Sequence, residues 1–384
     1  MRCNPFLARI HWVEGNMARS FLVTGGAGFI GRHLCHELLA AGHRVRVLDS
    51  FVEQVHGPEP LPIARDIELL RGDVRDAALL ARACEGMDGV FHLAAEVGVG
   101  QSMYEVGRYV GGNDLATAVL LEQLIKRPVG RLVVASSMSV YGEGLYRSDD
   151  GTRVHTARRQ AQPQAGRWDP MLPGGDALTP IPTDESKQPD LASIYALTKY
   201  QQERACLIIG AAYNMPTVAL RLFNVFGPGQ ALSNPYTGVL ANFGARLANG
   251  QGPLVFEDGR QKRDFVHVKD VAHAFVLAME SGDADGEVLN IGSGHAYAIA
   301  DVAEMLAGAM NVPHLRPQIL GKARAGDIRH CFADTSRAQT LLGYAPTRLL
   351  ENALGELVDW ISASAADDRG EFARQQLEQR GLVA

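Results

Sequence analysis

The sequence has few of the residues that build metal sites or nucleic-acid surfaces. Its five cysteines are scattered, and no two lie at metal-ligand spacing: Cys3, Cys35, Cys84, Cys206 and Cys331. We therefore expect no metal, and thiols kept reduced in the cytoplasm. The chain contains only six lysines, its net charge is −6, and no basic stripe is visible. This balance argues against a nucleic-acid partner.

Long apolar segments are also missing. No run of 18 apolar residues occurs, so we expect no membrane span. Residues 1–19 do not resemble a signal peptide, because His11, Trp12 and Glu14 interrupt any apolar core. We interpret them as an extension. Either residues 1–16 precede a true start at Met17, or they form a short disordered tail.

The chain does contain several short apolar segments separated by helical patterns. With 384 residues and 46% hydrophobic content, it is long enough for two domains. The segments predicted as buried strands are Phe21–Thr24, Arg44–Asp49, Ile67–Gly72, Gly89–Ala94, Arg131–Ser137, Thr217–Asn224 and Val288–Ile291. Such a pattern predicts an α/β fold, a Rossmann-type doubly wound parallel sheet with helices on both faces. From about Pro228 onward, Gly and Pro punctuate shorter elements, which predicts a smaller C-terminal α/β domain.

A glycine-rich turn follows the first predicted strand. Gly25, Gly28 and Gly31 have the GxxGxxG spacing, and Phe29 and Ile30 lie where the next helix begins. In this strand-turn-helix context, the glycines let backbone amides at the helix N-terminus approach a pyrophosphate. The turn therefore predicts a dinucleotide site.

The ends of the next three strands add candidate cofactor residues. Asp49 lies 18 residues after Gly31, where its carboxylate can accept hydrogen bonds from both adenosine ribose hydroxyls and would repel a 2′-phosphate. It favours NAD over NADP. Asp73 and the Val74 amide are candidates for holding the adenine. The small-residue segment that ends the fourth strand can let the cofactor pass, and its candidates are Leu93, Ala94 and Ala95. His92, in the same segment, is interpreted as a core histidine.

Tyr195 and Lys199 lie four residues apart in a helical stretch, so they share one helix face. A tyrosine titrates near ~10 and needs a fixed positive charge to serve as a base at neutral pH. Lys199 can supply that charge. The pair suggests proton abstraction from a sugar or alcohol hydroxyl while a nicotinamide takes the hydride.

From Ser20 to Tyr344 the chain resembles the extended short-chain dehydrogenase/reductase family, specifically its nucleotide-sugar epimerases and dehydratases. The resemblance rests on eight segments in order: TGGAGFIG (24–31), GDVRD (72–76), HLAA (92–95), SSMSVYG (136–142), YALTK (195–199), RLFNVFGPGQ (221–230), RDFVHVKDV (263–271) and RAGD (324–327). It implies an NAD-binding domain at 20–227, to which 263–292 returns, and a nucleotide-sugar domain at 228–262 and 293–365. The insertion at 142–190 interrupts the first domain, and 366–384 is interpreted as a solvated helix or tail.

The resemblance also implies roles for single residues. Tyr195 is the expected base, Lys199 is expected to bind the nicotinamide ribose and lower the tyrosine pKa, and Ser137 is expected to hydrogen-bond the sugar O4. Asn113 and Phe223 are expected at the cofactor. A nucleoside-diphosphate sugar is the expected substrate: Asn224 would bind its diphosphate through side chain or amide, and Arg263 and Arg324 would clamp the phosphates. Ser139 and Asp327 complete the implied substrate site, and a homodimer is expected.

The segment after Ser137 discriminates among the reactions of this family. Dehydratases resemble one another in an Asp-Glu pair at the positions of Met138 and Ser139, and other relatives carry glutamate or cysteine at the second position. Without an acid or thiol there, elimination and C3/C5 deprotonation lack their second catalyst. This favours epimerisation at C4. A 4-keto-sugar reductase, a dehydratase and a non-catalytic NAD-binding scaffold are the alternatives.

Three further features bear on the substrate. Glu96-Val97 and residues 98–110 resemble epimerases of deoxythymidine-diphosphate 6-deoxysugars such as dTDP-L-rhamnose, and UDP-glucose is the alternative substrate. Cys331 occupies a position that gates the sugar pocket in galactose-type enzymes, where it either widens the pocket or serves packing alone. The 142–190 insertion is either a substrate lid, with Trp168 as an apolar anchor, or a disordered loop.

Overall fold

A computed structural model describes residues 18–58, 60–156, 168–172, 174–175, 177–232, 234, 236, 238–364, 368 and 370–383. The proposed start at Met17 lies outside these residues. In the described part of the chain, no helix is both long and apolar enough to cross a membrane.

The described elements alternate between strands and helices over most of the chain. The strands are β1 Ser20–Thr24, β2 Arg44–Asp49, β3 Ile67–Arg71, β4 Gly89–His92, β5 Arg131–Ser137, β6 Leu145–Arg147, β7 Arg153–His155, β8 Thr179–Ile181, β9 Thr217–Leu222, β10 Asn224–Phe226, β11 Leu254–Val255, β12 Lys262–Arg263, β13 Phe265–His267, β14 Val288–Ile291, β15 Tyr297–Ala298, β16 Gln318–Ile319 and β17 His330–Cys331. The α-helices are α1 Phe29–Ala40, α2 Glu53–His56, α3 Ala77–Ala83, α4 Val99–Ser102, α5 Val106–Tyr109, α6 Ala116–Lys126, α7 Ile194–Ala212, α8 Val239–Ala248, α9 Val268–Glu280, α10 Ile299–Ala309, α11 Ser336–Leu342, α12 Leu350–Ala363 and α13 Gly370–Gln379. A π-helical segment, Val110–Leu115, joins α5 to α6, and two 3₁₀ turns cover Met138–Tyr141 and Gly282–Ala284.

Seven parallel strands form the main sheet in the order β14-β9-β5-β4-β1-β2-β3. Each of the seven predicted strands belongs to it, so the predicted fold class is confirmed. The predicted strand at 217–224 is shorter than expected. It ends at Leu222, and β10 leaves the sheet to pair with β13.

Both faces of this sheet are apolar because alternate residues of its strands enter two different cores. In β5, Val133 packs in a cluster with Leu34 of α1 and Phe275 of α9. Its neighbour Leu132 faces the opposite cluster, which contains Leu120 of α6 and other residues of α3 and α7. The carboxyl ends of the parallel strands therefore meet at one edge, where ligands bind in open α/β sheets.

A third apolar cluster is built by α8, α10 and α12, with Phe243, Leu306 and Leu357 among its buried residues. The small sheets β11-β16 and β15-β12-β17 lie in this part of the chain. This separate core is what the predicted smaller C-terminal domain requires, while the predicted boundaries stay a prediction.

The 142–190 insertion is partly described and partly ordered as a sheet. β6 pairs with both β7 and β8 in antiparallel fashion. Asp169 joins the insertion to the C-terminal region, because its carboxylate accepts hydrogen bonds from Arg329 Nε at 2.6 Å and His330 Nε2 at 2.9 Å. The residue after Trp168 thus attaches the insertion through an ion pair, and the expected apolar anchoring by the indole stays a prediction.

The C-terminal residues were expected to form a solvated helix or tail. The helix is present as α13, but Ala373 and Leu377 on it are buried, at 7% and 6% exposure. The predicted helix is therefore present, and one of its faces is buried.

Candidate active site

The glycine turn lies between β1 and α1 and leaves no room for side chains. Gly25 has φ +70°, and a Cβ there would lie 2.8 Å from the backbone nitrogen of Ala94. A Cβ on Gly31 would lie 2.5 Å from the carbonyl oxygen of Gly25. The cap residue of α1, Gly28, places no side chain over the first amides of the helix. The turn is therefore shaped for close approach of an anionic group to the helix N-terminus.

A cavity of about 560 Å³ opens in front of this turn, at the carboxyl edge of the sheet. All the predicted cofactor residues except Asn113 line it: Gly25, Gly28, Phe29, Ile30, Gly31, Asp49, Asp73, Val74, Leu93, Ala94, Ala95, Tyr195, Lys199 and Phe223. The fold thus brings together residues up to 198 positions apart in the chain. A glycine cradle beside an acidic strand end fits a dinucleotide with free ribose hydroxyls.

Asp49 is fixed at the end of β2 by three contacts. Its Oδ2 accepts a hydrogen bond from the amide of Ala27 at 3.0 Å, and its Oδ1 accepts one from the amide of Phe51 at 2.9 Å. His56 Nε2 lies 3.3 Å from the same Oδ1. The carboxylate is 7% exposed and lines the cavity, so its remaining lone pairs are those available to a ribose.

Asp73 is less free than predicted. Arg75 donates to both of its carboxylate oxygens, at 3.0 and 2.6 Å, and this hydrogen bonding lowers the pKa of Asp73. An adenine amino group would have to compete with that guanidinium. Val74, whose backbone amide is the other predicted adenine contact, also lines the cavity.

The helix that carries Tyr195 is held at its first turn. Ser193 caps α7 by accepting a hydrogen bond from the amide of Ala196 at 3.1 Å, and the amide of Tyr195 donates to Ser102 Oγ at 3.0 Å. Ser137, the last residue of β5, is hydrogen-bonded to the Tyr195 side chain. A hydroxyl and a phenol therefore meet where the cavity passes the sheet edge.

Two features of the structure act on the pKa of Tyr195 in opposite directions. Burial raises it, and the hydrogen bond with Ser137 acts in the opposite direction. The ammonium group of Lys199 donates a hydrogen bond to Gln202 Oε1 at 2.7 Å. Burial lowers the pKa of Lys199 itself to about 8. The expectation that Lys199 lowers the pKa of Tyr195 stays a prediction.

Gln202 is a site residue that the sequence reading missed. Its amide donates to Thr117 Oγ1 at 2.8 Å while its oxygen holds Lys199, so it fixes the lysine against α6. It lies three residues after Lys199 on the same helix, and this spacing could have indicated it. His92 is a satisfied core histidine, as predicted: its ring contacts Thr24 and Thr117, and burial lowers its pKa to about 3.

Asn113 does not line the cofactor cavity. It is fully buried in the π-helical segment, where its amide donates to Thr198 Oγ1 at 2.9 Å and to the Glu96 carbonyl at 3.1 Å. Its oxygen accepts the amide of Glu96 at 2.6 Å. The predicted cofactor contact of Asn113 therefore stays a prediction, without support from the lining of this cavity. Asn113 is a positioning residue that ties the loop after β4 to α7.

A second cavity, of about 310 Å³, adjoins the first. Met138, Ser139 and Asn224 line both cavities, and Arg263, Arg324 and Asp327 line the second. Of the predicted substrate residues, Ser137 lines only the cofactor cavity, at the junction beside Ser139, whose Oγ donates to Ser137 Oγ at 2.9 Å. The predicted substrate residues thus form one continuous surface.

The two predicted phosphate-binding arginines share one carboxylate. Arg324 donates to Asp327 Oδ2 through Nε at 3.1 Å and a terminal nitrogen at 3.0 Å, and Arg263 lies 3.4 Å from Asp327 Oδ1. The backbone amide and the side-chain nitrogen of Asn224 each donate a hydrogen bond to the carbonyl of Asp264, at 3.1 and 2.8 Å. The side-chain nitrogen has a second hydrogen, and Asn224 lines both cavities, so its predicted diphosphate contact stays a prediction.

Cys331 and the insertion lie outside both cavities. Cys331 is 1% exposed and packs with Met138 and Phe223, and burial raises the pKa of its thiol to about 12. The packing alternative is the one this geometry supports. No described residue of 142–190 lines either cavity, so the interpretation as a lid finds no support in the described part of the insertion.

Comparison with known proteins agrees with this geometry. Residues 21–163 and 171–292 match the model of the NAD dependent epimerase/dehydratase family. The chain belongs to that family. Its membership confirms the predicted resemblance and identifies NAD as the cofactor of this epimerase-class enzyme.

Individual relatives cover nearly the whole chain. A dTDP-L-rhamnose 4-epimerase of Burkholderia thailandensis is 38% identical over 355 residues, covering 90% of this chain and 95% of that protein. A UDP-glucose 4-epimerase of Corynebacterium glutamicum is 29% identical over 366 residues, covering 92% and 99%. A UDP-glucuronic acid 4-epimerase from Bacillus cereus, solved with UDP-glucuronic acid and NAD, matches with a TM-score of 0.73 at 28% identity, covering 89% of this chain and 99% of that one.

Proposed function

We propose that this family member is an NAD-dependent nucleotide-sugar 4-epimerase that inverts C4 through a transient 4-keto sugar. One observation carries the proposal. Tyr195 and Ser137 stand where the two cavities adjoin, and Met138 and Ser139 occupy the positions where a second acid or thiol would serve elimination or C5 chemistry. The site therefore supports removal and return of one proton at O4.

The other carboxylates of the two cavities are already engaged. Among the described lining residues they are Asp49, Asp73, Glu96 and Asp327. Glu96 forms an ion pair with Arg108, in which a terminal guanidinium nitrogen lies 2.7 Å from Glu96 Oε2. A carboxylate that already accepts hydrogen bonds has fewer lone pairs left for a substrate. This agrees with a reaction that needs no second acid.

The cofactor and three side chains have different roles in the proposed reaction. NAD, when bound, would accept the C4 hydrogen as a hydride and return it to the 4-keto sugar. Tyr195 takes the O4 proton and gives it back after the ketone has turned over, while Ser137 holds the oxygen. Lys199, with its pKa of about 8, is mostly protonated at neutral pH, and its positive charge would oppose the rise in the Tyr195 pKa and hold the nicotinamide ribose of a bound NAD.

The substrate we favour is dTDP-L-rhamnose, which epimerisation at C4 converts to dTDP-6-deoxy-L-talose. Support comes from the 38% identity to an enzyme named for that activity and from the 98–110 segment. UDP-glucose is the second candidate, favoured by the 29% identity over almost the whole chain to a UDP-glucose 4-epimerase.

A panel of nucleotide sugars tests both substrates. The purified enzyme is incubated with dTDP-L-rhamnose, UDP-glucose and dTDP-glucose without added cofactor, and C4 configuration is followed by proton NMR. We expect inversion with dTDP-L-rhamnose. A 4-keto-6-deoxy product from dTDP-glucose would identify a dehydratase, and a requirement for stoichiometric NADPH would identify a reductase.

We also propose that the protein is a cytoplasmic homodimer. Leu197 and Ile208 lie three turns apart on α7 and are 43% and 56% exposed, and Leu115, just before α6, is 53% exposed. An apolar surface on two adjacent helices favours association. The described cysteines are free thiols, which suits a reducing compartment.

A further inference from the structure

The segment 370–383, which we call the C-terminal strap, forms a wall of the substrate cavity. It consists of α13 and the residues that follow it to Val383. Its lining residues are Gly370, Ala373, Arg374, Leu377 and Leu382. None of them was assigned a role by the sequence, where this segment reads as a polar tail.

The strap turns its apolar side chains toward the cavity. Ala373 and Leu377 lie four residues apart and so share a helix face, and both are buried. Phe372, on another face of the same helix, is 55% exposed. The helix has few apolar residues, so burying them in a core would add little stability. We therefore relate this apolar face to the cavity that it lines.

Backbone pairing fastens the end of the strap to the loop that carries the substrate arginine. The amide of Ala325 donates to the Leu382 carbonyl at 2.8 Å, and Arg324 forms a β-bridge with Val383. Lys322, in the same loop, lies 2.8 Å from Glu378. The strap is thus built against the phosphate-binding part of the site.

The strap also touches the NAD-binding part of the chain. The guanidinium of Arg380 lies over the ring of Tyr104, 4.3 Å from its centroid. A Cβ on Gly100 of α4 would lie 3.4 Å from the methyl groups of Leu377. These contacts connect the strap to the NAD-binding part of the chain.

The position of the strap in the cavity indicates which part of a substrate it meets. Tyr195 and Ser137 define the sugar end, and Arg263 and Arg324 define the diphosphate. The nucleoside then lies beyond the arginines, and the strap lines this cavity but not the one that holds Tyr195. Arg374 is paired with Glu371 and Glu378, so its charge is already compensated and its stem adds apolar surface.

We propose that the C-terminal strap is part of the nucleotide-binding site, with Ala373, Leu377 and Leu382 packing against a pyrimidine nucleoside diphosphate. The inference rests on the proposed function, because it takes the substrate to be a nucleotide sugar. In this proposal the strap determines nucleotide affinity and takes no part in proton or hydride transfer, which the residues around Tyr195 perform.

Calorimetric titration of the NAD-loaded protein with dTDP and with UDP tests this without turnover. Leu377→Ala and Leu382→Ala each weaken binding of the tighter nucleotide by about tenfold, since each removes an apolar side chain from the pocket. Deletion of 369–384 weakens it further. Phe372→Ala, on the solvent side of the same helix, is the matched control and leaves the dissociation constant within about twofold of wild type. NAD content and Tm establish that each variant is folded. If Leu377→Ala unfolds, Leu382→Ala alone provides the test of nucleotide affinity.

The results separate the strap from the epimerase proposal. Unchanged nucleotide affinity in the point variants and the deletion would overturn the role of the strap. If no nucleotide sugar is inverted at C4 while the strap variants still lose nucleotide affinity, the strap proposal stands and the epimerase proposal fails. A wild-type protein that binds neither dTDP nor UDP contradicts both.

Discussion

Tyr195 is the residue on which the chemistry depends, and its environment pulls its pKa in two directions. Burial raises the pKa, and the hydrogen bond with Ser137 lowers it. The four-residue spacing to Lys199 was enough to predict that both side chains face one cavity. The three-residue spacing from Lys199 to Gln202 makes their contact possible, but the side-chain rotamer decides whether it forms, so the sequence indicates the contact without establishing it.

Tyr195→Phe removes the only proton acceptor that we assign at O4. We expect kcat to fall by about 10²–10⁴-fold while NAD stays bound, since the phenyl ring keeps the packing. Turnover is measured by NMR and bound NAD by absorbance after denaturation. Retention of near-wild-type turnover would remove Tyr195 from its role as base.

Lys199 gives a pH dependence of stability with a defined sign. Its pKa in the folded chain is about 8, below the unfolded value near ~10.5, so the folded state loses its proton first. Below pH ~8 the ammonium group is charged in the folded state, and burying this charge lowers the free energy of unfolding. Between pH ~8 and ~10.5 the folded lysine is neutral while the unfolded one is still charged, so the free energy of unfolding rises with pH relative to a chain without the lysine.

The measurement compares unfolding free energies of wild type and Lys199→Met by denaturant titration at several pH values. We expect the difference to move in favour of wild type by up to about 3 kcal/mol as the pH rises through this window. A difference that does not vary with pH would mean that the folded lysine titrates like an exposed one.

At the scale of elements, α7 is attached to the sheet by a buried ion pair one turn beyond Lys199. Glu203 accepts hydrogen bonds from Arg221 of β9 at 2.9 and 2.7 Å and from Ser136 of β5 at 2.7 Å. Because α7 carries Tyr195, this pair helps to hold the catalytic helix in place.

Glu203→Ala leaves the Arg221 guanidinium buried without its partner. We expect a loss of about 3–5 kcal/mol in unfolding free energy, seen as a lower denaturant midpoint. Glu122→Ala on the neighbouring α6 removes an exposed glutamate and is the control, with a change within about 0.5 kcal/mol. Equal effects of the two variants would contradict the structural role of the pair.

The insertion contacts the C-terminal region at several points: Glu143 accepts hydrogen bonds from the amides of Arg329 and His330, and Thr183 forms a β-bridge with Ala333. Asp169 adds a contact to the side chains of Arg329 and His330, and this contact can be removed by one substitution. Because Asp169 is more than half exposed, Asp169→Ala should cost at most about 1 kcal/mol of global stability. It should accelerate limited proteolysis within 142–190. Unchanged cleavage would show that other contacts hold the insertion.

These elements also show where sequence reasoning succeeds and fails. The seven sheet strands could be predicted because a strand buried on both faces is a continuous apolar run. The burial of the strap against the cavity could not be predicted, because only a few apolar residues of a polar helix face the cavity. The docking of Asp169 could not either, since its partners lie 160 residues away in sequence and local patterns carry no such information.

At the scale of the whole molecule, the proposed dimer depends on an apolar surface across two helices. Ile208→Arg places a charge at its most exposed position on α7, and we expect a monomer in sedimentation velocity. Ile319→Arg, at an equally exposed position of the C-terminal region, is the control and should leave the dimer intact. A wild-type monomer would contradict the proposal outright.

The most direct test of the account follows the fate of the C4 hydrogen. dTDP-L-rhamnose deuterated at C4 is incubated with the enzyme and its bound NAD, and the products are examined by NMR. We predict dTDP-6-deoxy-L-talose with the deuterium retained at C4, because the hydride leaves and returns within one site. Loss of the label to solvent, accumulation of a 4-keto sugar, or turnover only with added NADPH would contradict the account.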